Sequence, residues 1–203
     1  LLLCHLLIFL ILGSSQSLYP RTIQYIYDDS IKNISNISTW NVHEISTNQR
    51  LINGVSMFDV STFNINEMLT QSWETHRKNE DKSFTATRQS DSLLIEGLNK
   101  GLSFKKIIPL PNSNWIQSPG LVLHPFIKSK DKKMSFSLLA AKSLMVIEME
   151  ITKYNIEDIT IQNKPLKLLR TKISPTGFFG LFWSATLWFD PDTGNLIYYE
   201  GPV

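Results

Sequence analysis

A single cysteine, Cys4, occurs in 203 residues, and the four histidines, His5, His43, His76 and His124, stand far apart. One thiol makes no intramolecular disulfide, so the chain relies on packing rather than cross-links. No His-x-x-x-His or Glu-x-x-His spacing aims two ligands at one metal, which leaves only a site assembled from distant strands. Charge of one sign is lacking too, since 20 basic and 18 acidic residues give a formal net charge of +2. That balance argues against nucleic acid, whose binders concentrate a basic face. The one basic cluster, Lys128-Ser-Lys-Asp-Lys-Lys133, reads as a solvated turn, with contact to anionic phospholipid headgroups as the alternative. Gly97 and Gly101 are not followed by the Lys-Ser/Thr pair of a phosphate loop, and no Gly-x-Ser-x-Gly nucleophile elbow is present. Glu67, Glu74, Asp28, Asp29, Asp190 and Glu200 could form an acid/base pair across strands, but turn and strand-surface roles fit them better. No catalytic, metal or cofactor residue is assigned.

Long apolar runs are also missing, except at the start. Residues 1–12 are apolar apart from His5 and Cys4 and are followed by Gly13-Ser-Ser-Gln-Ser17. This pattern resembles the apolar core of a signal peptide, with small Ser15 and Ser17 placed for cleavage after Ser17. Cys4 lacks the small residues that precede an acylated lipoprotein cysteine. The run is shorter than the roughly 20 residues needed to span a bilayer, so an uncleaved membrane anchor is the alternative. The expectation is a leader over 1–17 and one β-rich domain over 18–203, exported to the periplasm or cell envelope. A chain of that length can bury about 70% of its unfolded surface.

What remains is a succession of short segments rich in β-branched and aromatic residues at period two. Strands are expected over residues 22–27, 34–45, 51–63, 68–76, 83–88 and 93–96, then over 134–140, 144–151, 156–161 and 166–173. Asn53-Gly54 is a possible hairpin turn inside the third of these, and Asn64 with Glu67 offers a competing helix start. Between the two groups, Pro109-Leu-Pro-Asn-Ser-Asn-Trp-Ile-Gln-Ser-Pro-Gly120 interrupts any ladder or helix and reads as a long crossing loop. Leu121 to Ile127 fits one helical turn or an edge segment.

The last segment specifies a hairpin. Asp190 can fold its carboxylate onto nearby backbone N–H groups, Pro191 presets φ, and Gly194 takes the left-handed position that returns the chain. Without a bulge, a four-residue loop pairs Phe189 with Leu196, Trp188 with Ile197, Leu187 with Tyr198 and Thr186 with Tyr199. One face then carries Trp183, Ala185, Leu187, Phe189, Leu196 and Tyr198; the other carries Trp188, Ile197 and Tyr199. Both faces are apolar, whereas a hairpin at the surface of a sheet needs only one. A helix or loop over the second face is the simpler cover, and a ligand the sharper one. Just before it, Gly177-Phe-Phe-Gly-Leu-Phe-Trp183 packs five large apolar side chains into seven residues. Each gains about 1.5–3 kcal/mol on burial, so the run completes a core, rims a pocket or touches a membrane.

Four patches, Trp115-Ile-Gln117, His124-Pro-Phe126 with Ser129, Glu157-Asp-Ile159, and Phe182-Trp183 leading into Trp188-Phe-Asp190 and Tyr198-Tyr-Glu-Gly201, together resemble an uncharacterised group of exported bacterial domains of unknown function. The resemblance spans most of residues 68–201. It implies the open β half-barrel of the periplasmic lipoprotein carriers, with a hydrophobic concavity for a lipid or acyl chain and no catalytic residues. The fold expected is thus all-β, or β-rich α+β: a single curved antiparallel sheet forming an open barrel or half-barrel, with little helix. The function expected is non-enzymatic binding of a lipid or other hydrophobic ligand by Phe178, Phe179, Phe182, Trp183, Leu187, Phe189 and Tyr198, with peripheral membrane contact as a further expectation. One alternative is an assembly protein that docks a protein partner through the apolar hairpin face. The other is a hydrolytic enzyme with a site gathered from distant strands.

Overall fold

The computed structural model describes residues 4–9, 21–29, 34–46, 48–56, 59–161, 163–177 and 183–201. Its strands are β1 (Cys4–Phe9), β2 (Arg21–Asp29), β3 (Ile34–Glu44), β4 (Gln49–Val55), β5 (Asp59–Asn66), β6 (Leu69–Arg77), β7 (Lys82–Gln89), β8 (Ser92–Asn99) and β9 (Leu102–Pro109). After two short helices, α1 (Pro119–Val122) and α2 (His124–Lys128), come β10 (Lys133–Ala140), β11 (Met145–Ile161), β12 (Lys164–Pro175), β13 (Ala185–Phe189) and β14 (Leu196–Gly201).

All fourteen belong to one sheet in the order β10-β11-β12-β13-β14-β1-β2-β3-β4-β5-β6-β7-β8-β9, every neighbouring pair antiparallel. The expected curved, open antiparallel sheet is what is found. Only β9 and β10, consecutive in the chain, sit at opposite edges, so the proline-rich segment between them has to cross the opening. The apolar stretch expected as a leader supplies β1, whose backbone pairs with β14 on one side and β2 on the other.

One inner face carries an aromatic ladder. Trp40 of β3 lies 5.7 Å from Phe63 of β5, Phe63 is 5.9 Å from Trp73 of β6, and Trp73 meets Phe84 of β7 edge-on at 5.1 Å. The ladder skips β4 because Gly54, paired with Trp40, has no side chain. A Cβ on Gly54 would stand 2.6 Å from the Trp40 ring and 2.2 Å from the Thr39 carbonyl oxygen. Asn53-Gly54 is therefore strand and not turn. The break in the expected 51–63 strand falls later, where Ser56 N–H donates to the Asp59 carbonyl (2.8 Å) and Ser56 Oγ bonds Asp59 Oδ1 (3.0 Å). The competing helix at Asn64 is absent, since Glu67 turns the chain with φ of 56°. Conversely, the two strands expected over 144–161 are one long strand, β11, with a bulge between Lys153 and Ile156.

The crossing segment fills the concavity. Leu110, Trp115, Ile116, Val122, Leu123, Phe126 and Ile127 are all buried in the common core. Prolines stand in the first turns of α1 and α2, where the missing N–H would be orphaned in any case, and Pro125 keeps α1 from continuing into α2. The segment is stitched to the sheet at two places, β6 and the edge strand β10. Thr70 of β6 donates its N–H to the Trp115 carbonyl (2.8 Å) and accepts from Gln117 N–H at Oγ1 (3.0 Å), while Ile116 and Asn114 bond the Ser137 backbone of β10.

The terminal hairpin corrects the expected register. Asp190 caps the turn as foreseen, accepting from Asp192 and Thr193 N–H at 2.8 and 2.9 Å, and Gly194 has φ of 73°. Phe189 pairs with Leu196, but Trp188 then pairs with Tyr198, Leu187 with Tyr199 and Thr186 with Glu200. One extra residue, Ile197, makes a bulge, and a one-residue slip moves every later side chain to the other face. Tyr198 therefore leaves the inner face and packs at a tilt against Trp188, ring centroids 5.0 Å apart, and Tyr199 packs on the core in its place.

Candidate apolar cavity

The register β10–β11–β12–β13 lines up Phe136 with Met149, Leu138 with Ile147, Met149 with Pro175, and Ile151 with Ile173 and then Ala185. This apolar face continues the core. At the end nearest the β10–β11 turn it is not filled by the described residues: a cavity of about 620 Å³ opens there, lined by Leu138, Met145, Val146, Ile147, Met149, Pro175 and Trp183, with Ser143, Glu148 and Thr176 as its polar neighbours. The thioethers of Met145 and Met149 are adaptable linings for a flexible apolar guest.

The expected binding residues divide into four groups. Trp183 lines the cavity. Leu187 and Phe189 are buried core residues, and Tyr198 is on the opposite face beside Trp188. Phe178, Phe179 and Phe182 lie outside the described residues. The second face of the hairpin is covered in part from within: Trp188 is only 8% exposed and donates its indole N–H to Glu157 of β11 at 3.4 Å, while Arg170 reaches the same carboxylate.

Three charged or ionisable groups take unforeseen positions. Lys82, 6% exposed, occupies the first inward position of β7 ahead of Phe84 and Ala86, and its ammonium donates to the carbonyls of Ala141 and Lys142 at 2.9 Å each. Lys153 donates to the Ile127 and Ser129 carbonyls (3.0 and 2.8 Å) at the end of α2 and lies 4.5 Å over the Phe126 ring. Burial lowers the pKa of both lysines from the usual value. Burial, helped by Glu200, raises that of the Tyr198 phenol. The signal for the lysines was present in the period-two pattern, where Lys82 continues Phe84 and Ala86, and Lys153 continues Met149 and Ile151.

The three histidines with described side chains do not converge. His76 is exposed on β6, His43 is half-buried on β3, and His124 opens α2 with both ring nitrogens 3.1 Å from the Arg50 guanidinium. A neutral imidazole has one acceptor nitrogen, so one of those two approaches is a hydrogen bond. Glu74 and Glu200 stand on β6 and β14, well apart in the sheet, and Asp190 is spent on its turn. Among the described residues no three His, Cys, Asp or Glu side chains gather as a metal would require, and no helix is long and apolar enough to cross a membrane.

A crystal structure of a β-barrel-like protein of domain of unknown function DUF1849 from Brucella abortus is similar over 98% of this chain and 92% of that one, with a TM-score of 0.51 and 6% sequence identity. The fold is β-barrel-like. At this identity the likeness is one of architecture alone. No protein-family model matches the chain, and no curated protein matches it.

Proposed function

We propose that the protein is an exported, non-enzymatic binding domain that holds a hydrophobic or amphipathic ligand, such as a lipid acyl chain, in the cavity beside Leu138, Ile147 and Trp183. The observation that supports this reading is the cavity's size and lining. About 620 Å³ falls within the range of roughly 300–1,000 Å³ common to small-molecule sites, and its walls are aliphatic side chains, two methionines and one tryptophan. The crossing segment occupies the rest of the concavity, so the ligand is housed at one end of the sheet rather than along it. A docking role for the hairpin's second face has less support, because Trp188 is already buried against Tyr198.

Native mass spectrometry of the protein purified from an envelope-containing lysate tests the proposal. A bound lipid is expected, and Ile147→Trp, which narrows the cavity with an indole, is expected to reduce the bound fraction while leaving the circular dichroism unchanged. An unliganded protein that also fails to take up a long-chain fluorescent probe refutes it. Export is tested separately by cell fractionation, where recovery in the periplasm or envelope is expected.

A further inference from the structure

The near-neutral total charge conceals a basic end. Residues 128–133 and 150–172 hold nine cations against four carboxylates, a net charge of +5 in a chain that carries +2, so the rest of the molecule is net acidic. The fold brings these two stretches together. Lys153 N–H donates to the Lys132 carbonyl (2.8 Å) and its ammonium to the Ser129 carbonyl (2.8 Å), while Lys133, Thr152 and Lys172 stand side by side on β10, β11 and β12. The loop after α2 therefore lies at the root of the β11–β12 hairpin. That hairpin runs on past the last β10 pairing, at Thr152, and the last β13 pairing, at Leu169.

Little of this charge is neutralised. Lys133 pairs with Glu150 (3.0 Å) and Arg170 with Glu157 (3.4 Å). Lys128, Lys130, Lys132, Lys164, Lys167 and Lys172 are exposed and make no ion pair with a described residue. Against those six, only the carboxylates of Asp131 and Asp158 are likewise without a cation in contact. Apolar side chains stand among the lysines. Tyr154 is 48% and Ile156 55% exposed, and Ile159, Ile161 and Leu166 along the hairpin are only half-buried.

We propose that this end of the molecule docks on a bilayer surface rich in anionic phospholipid. The six unpaired lysines are spread over a loop and a strand rather than aimed at one point, which suits a plane of phosphates and not a single anion. Each lysine held near such a surface strengthens binding about fivefold. The apolar residues separate a bilayer from a nucleic acid. A membrane interface accepts a tyrosine at headgroup level and an isoleucine below it, whereas a phosphate backbone leaves both in water. The surface is at the Lys133 end of β10 and the cavity at its Ala140 end, so this proposal does not rest on the ligand reading.

Flotation of the full chain with vesicles of phosphatidylcholine alone, and of phosphatidylcholine with about one-third phosphatidylglycerol, tests this. Binding is expected to the second kind only, and about 0.5 M salt, which screens charges beyond roughly 4 Å, is expected to release it. Lys130→Gln with Lys132→Gln should weaken binding about 25-fold. Lys100→Gln with Lys142→Gln, exposed positions at the opposite end, where Lys82 pairs with Asn99 and bonds the Lys142 carbonyl, should change it less than about twofold. Ile156→Ser should weaken it about fivefold without altering the salt dependence, while circular dichroism shows the fold retained. Failure to bind either vesicle, equal binding to both, equal losses from the two lysine pairs, an Ile156→Ser variant that binds like wild type, or preference for duplex DNA when DNA and vesicles compete would each overturn the proposal.

Discussion

Replacing Gln117 by alanine tests whether the crossing segment is held as strongly as its contacts indicate. Its side chain substitutes for a neighbouring strand at the edge of β10: Nε2 donates to the Leu139 carbonyl (2.9 Å), and Oε1 accepts from Leu139 N–H (3.1 Å) and from the Trp115 indole N–H (3.0 Å). Trp115 and Leu139 are buried, so three polar groups lose their partner together. Each orphaned buried group costs about 1–3 kcal/mol. Gln117 itself is half-buried and water can relieve part of the loss, so the low end applies, about 3 kcal/mol in all. For a chain of this size that is a fall in Tm of about 6–12 °C. Gln117→Glu keeps the acceptor but turns a second oxygen toward the Leu139 carbonyl, and it should fall between wild type and alanine. Thermal unfolding followed by circular dichroism and tryptophan fluorescence measures both variants. A fall below about 2 °C for Gln117→Ala, outside what one lost buried hydrogen bond would give, would refute the reasoning.

Other perturbations follow from the same geometry. Gly54→Ala places a methyl group against the Thr39 carbonyl and the Trp40 ring and should cost about 1–3 kcal/mol by overpacking, read as a lower urea midpoint at unchanged slope. Gly194→Ala adds the left-handed penalty at φ of 73° to a Cβ contact of 2.8 Å with His124, and a loss of about 2–3 kcal/mol in chemical denaturation is expected. The Tyr198 phenol has a folded pKa raised above its usual 10.0, so its contribution to stability is complete below that pH and is lost as the pH climbs through the folded value. Phenolate absorbance should therefore show a late-titrating component that disappears in Tyr198→Phe; a wild-type titration superposing on the variant's, apart from one ordinary tyrosine, counts against it.

Much of the architecture was legible because antiparallel strands advertise themselves by period two and by their turns. The Asp190–Gly194 turn was readable residue by residue, and Pro109, Pro111 and Pro119 marked a crossing loop, though not that its apolar residues fill the concavity. What escaped was whatever depends on one residue more or fewer. Ile197 carries no mark of a bulge, yet it exchanges the faces of Tyr198 and Tyr199. Ser56 and Asp59 bond to each other where the expected 51–63 strand breaks, and the apolar sequence there gives no sign of it. The site was less legible than the fold. Trp183 stood out as a large side chain beside the hairpin, but Leu138, Met145 and Ile147 line a cavity only because the sheet curves and the crossing segment stops short of them. No local pattern records either fact.

The strand order is the chain order cut once and rejoined, β10 to β14 followed by β1 to β9. Each of these two runs can form hairpin by hairpin from neighbours in sequence, at little loop-closure cost. The β14–β1 junction is the single strand pairing that spans nearly the whole chain, with Leu6 opposite Tyr199. Assembly should therefore begin within the runs and end at that junction. In φ-value terms, the Phe63–Trp73–Phe84 ladder should be largely formed at the folding barrier and Tyr199 scarcely so, which makes the junction the place where the finished molecule is most readily opened.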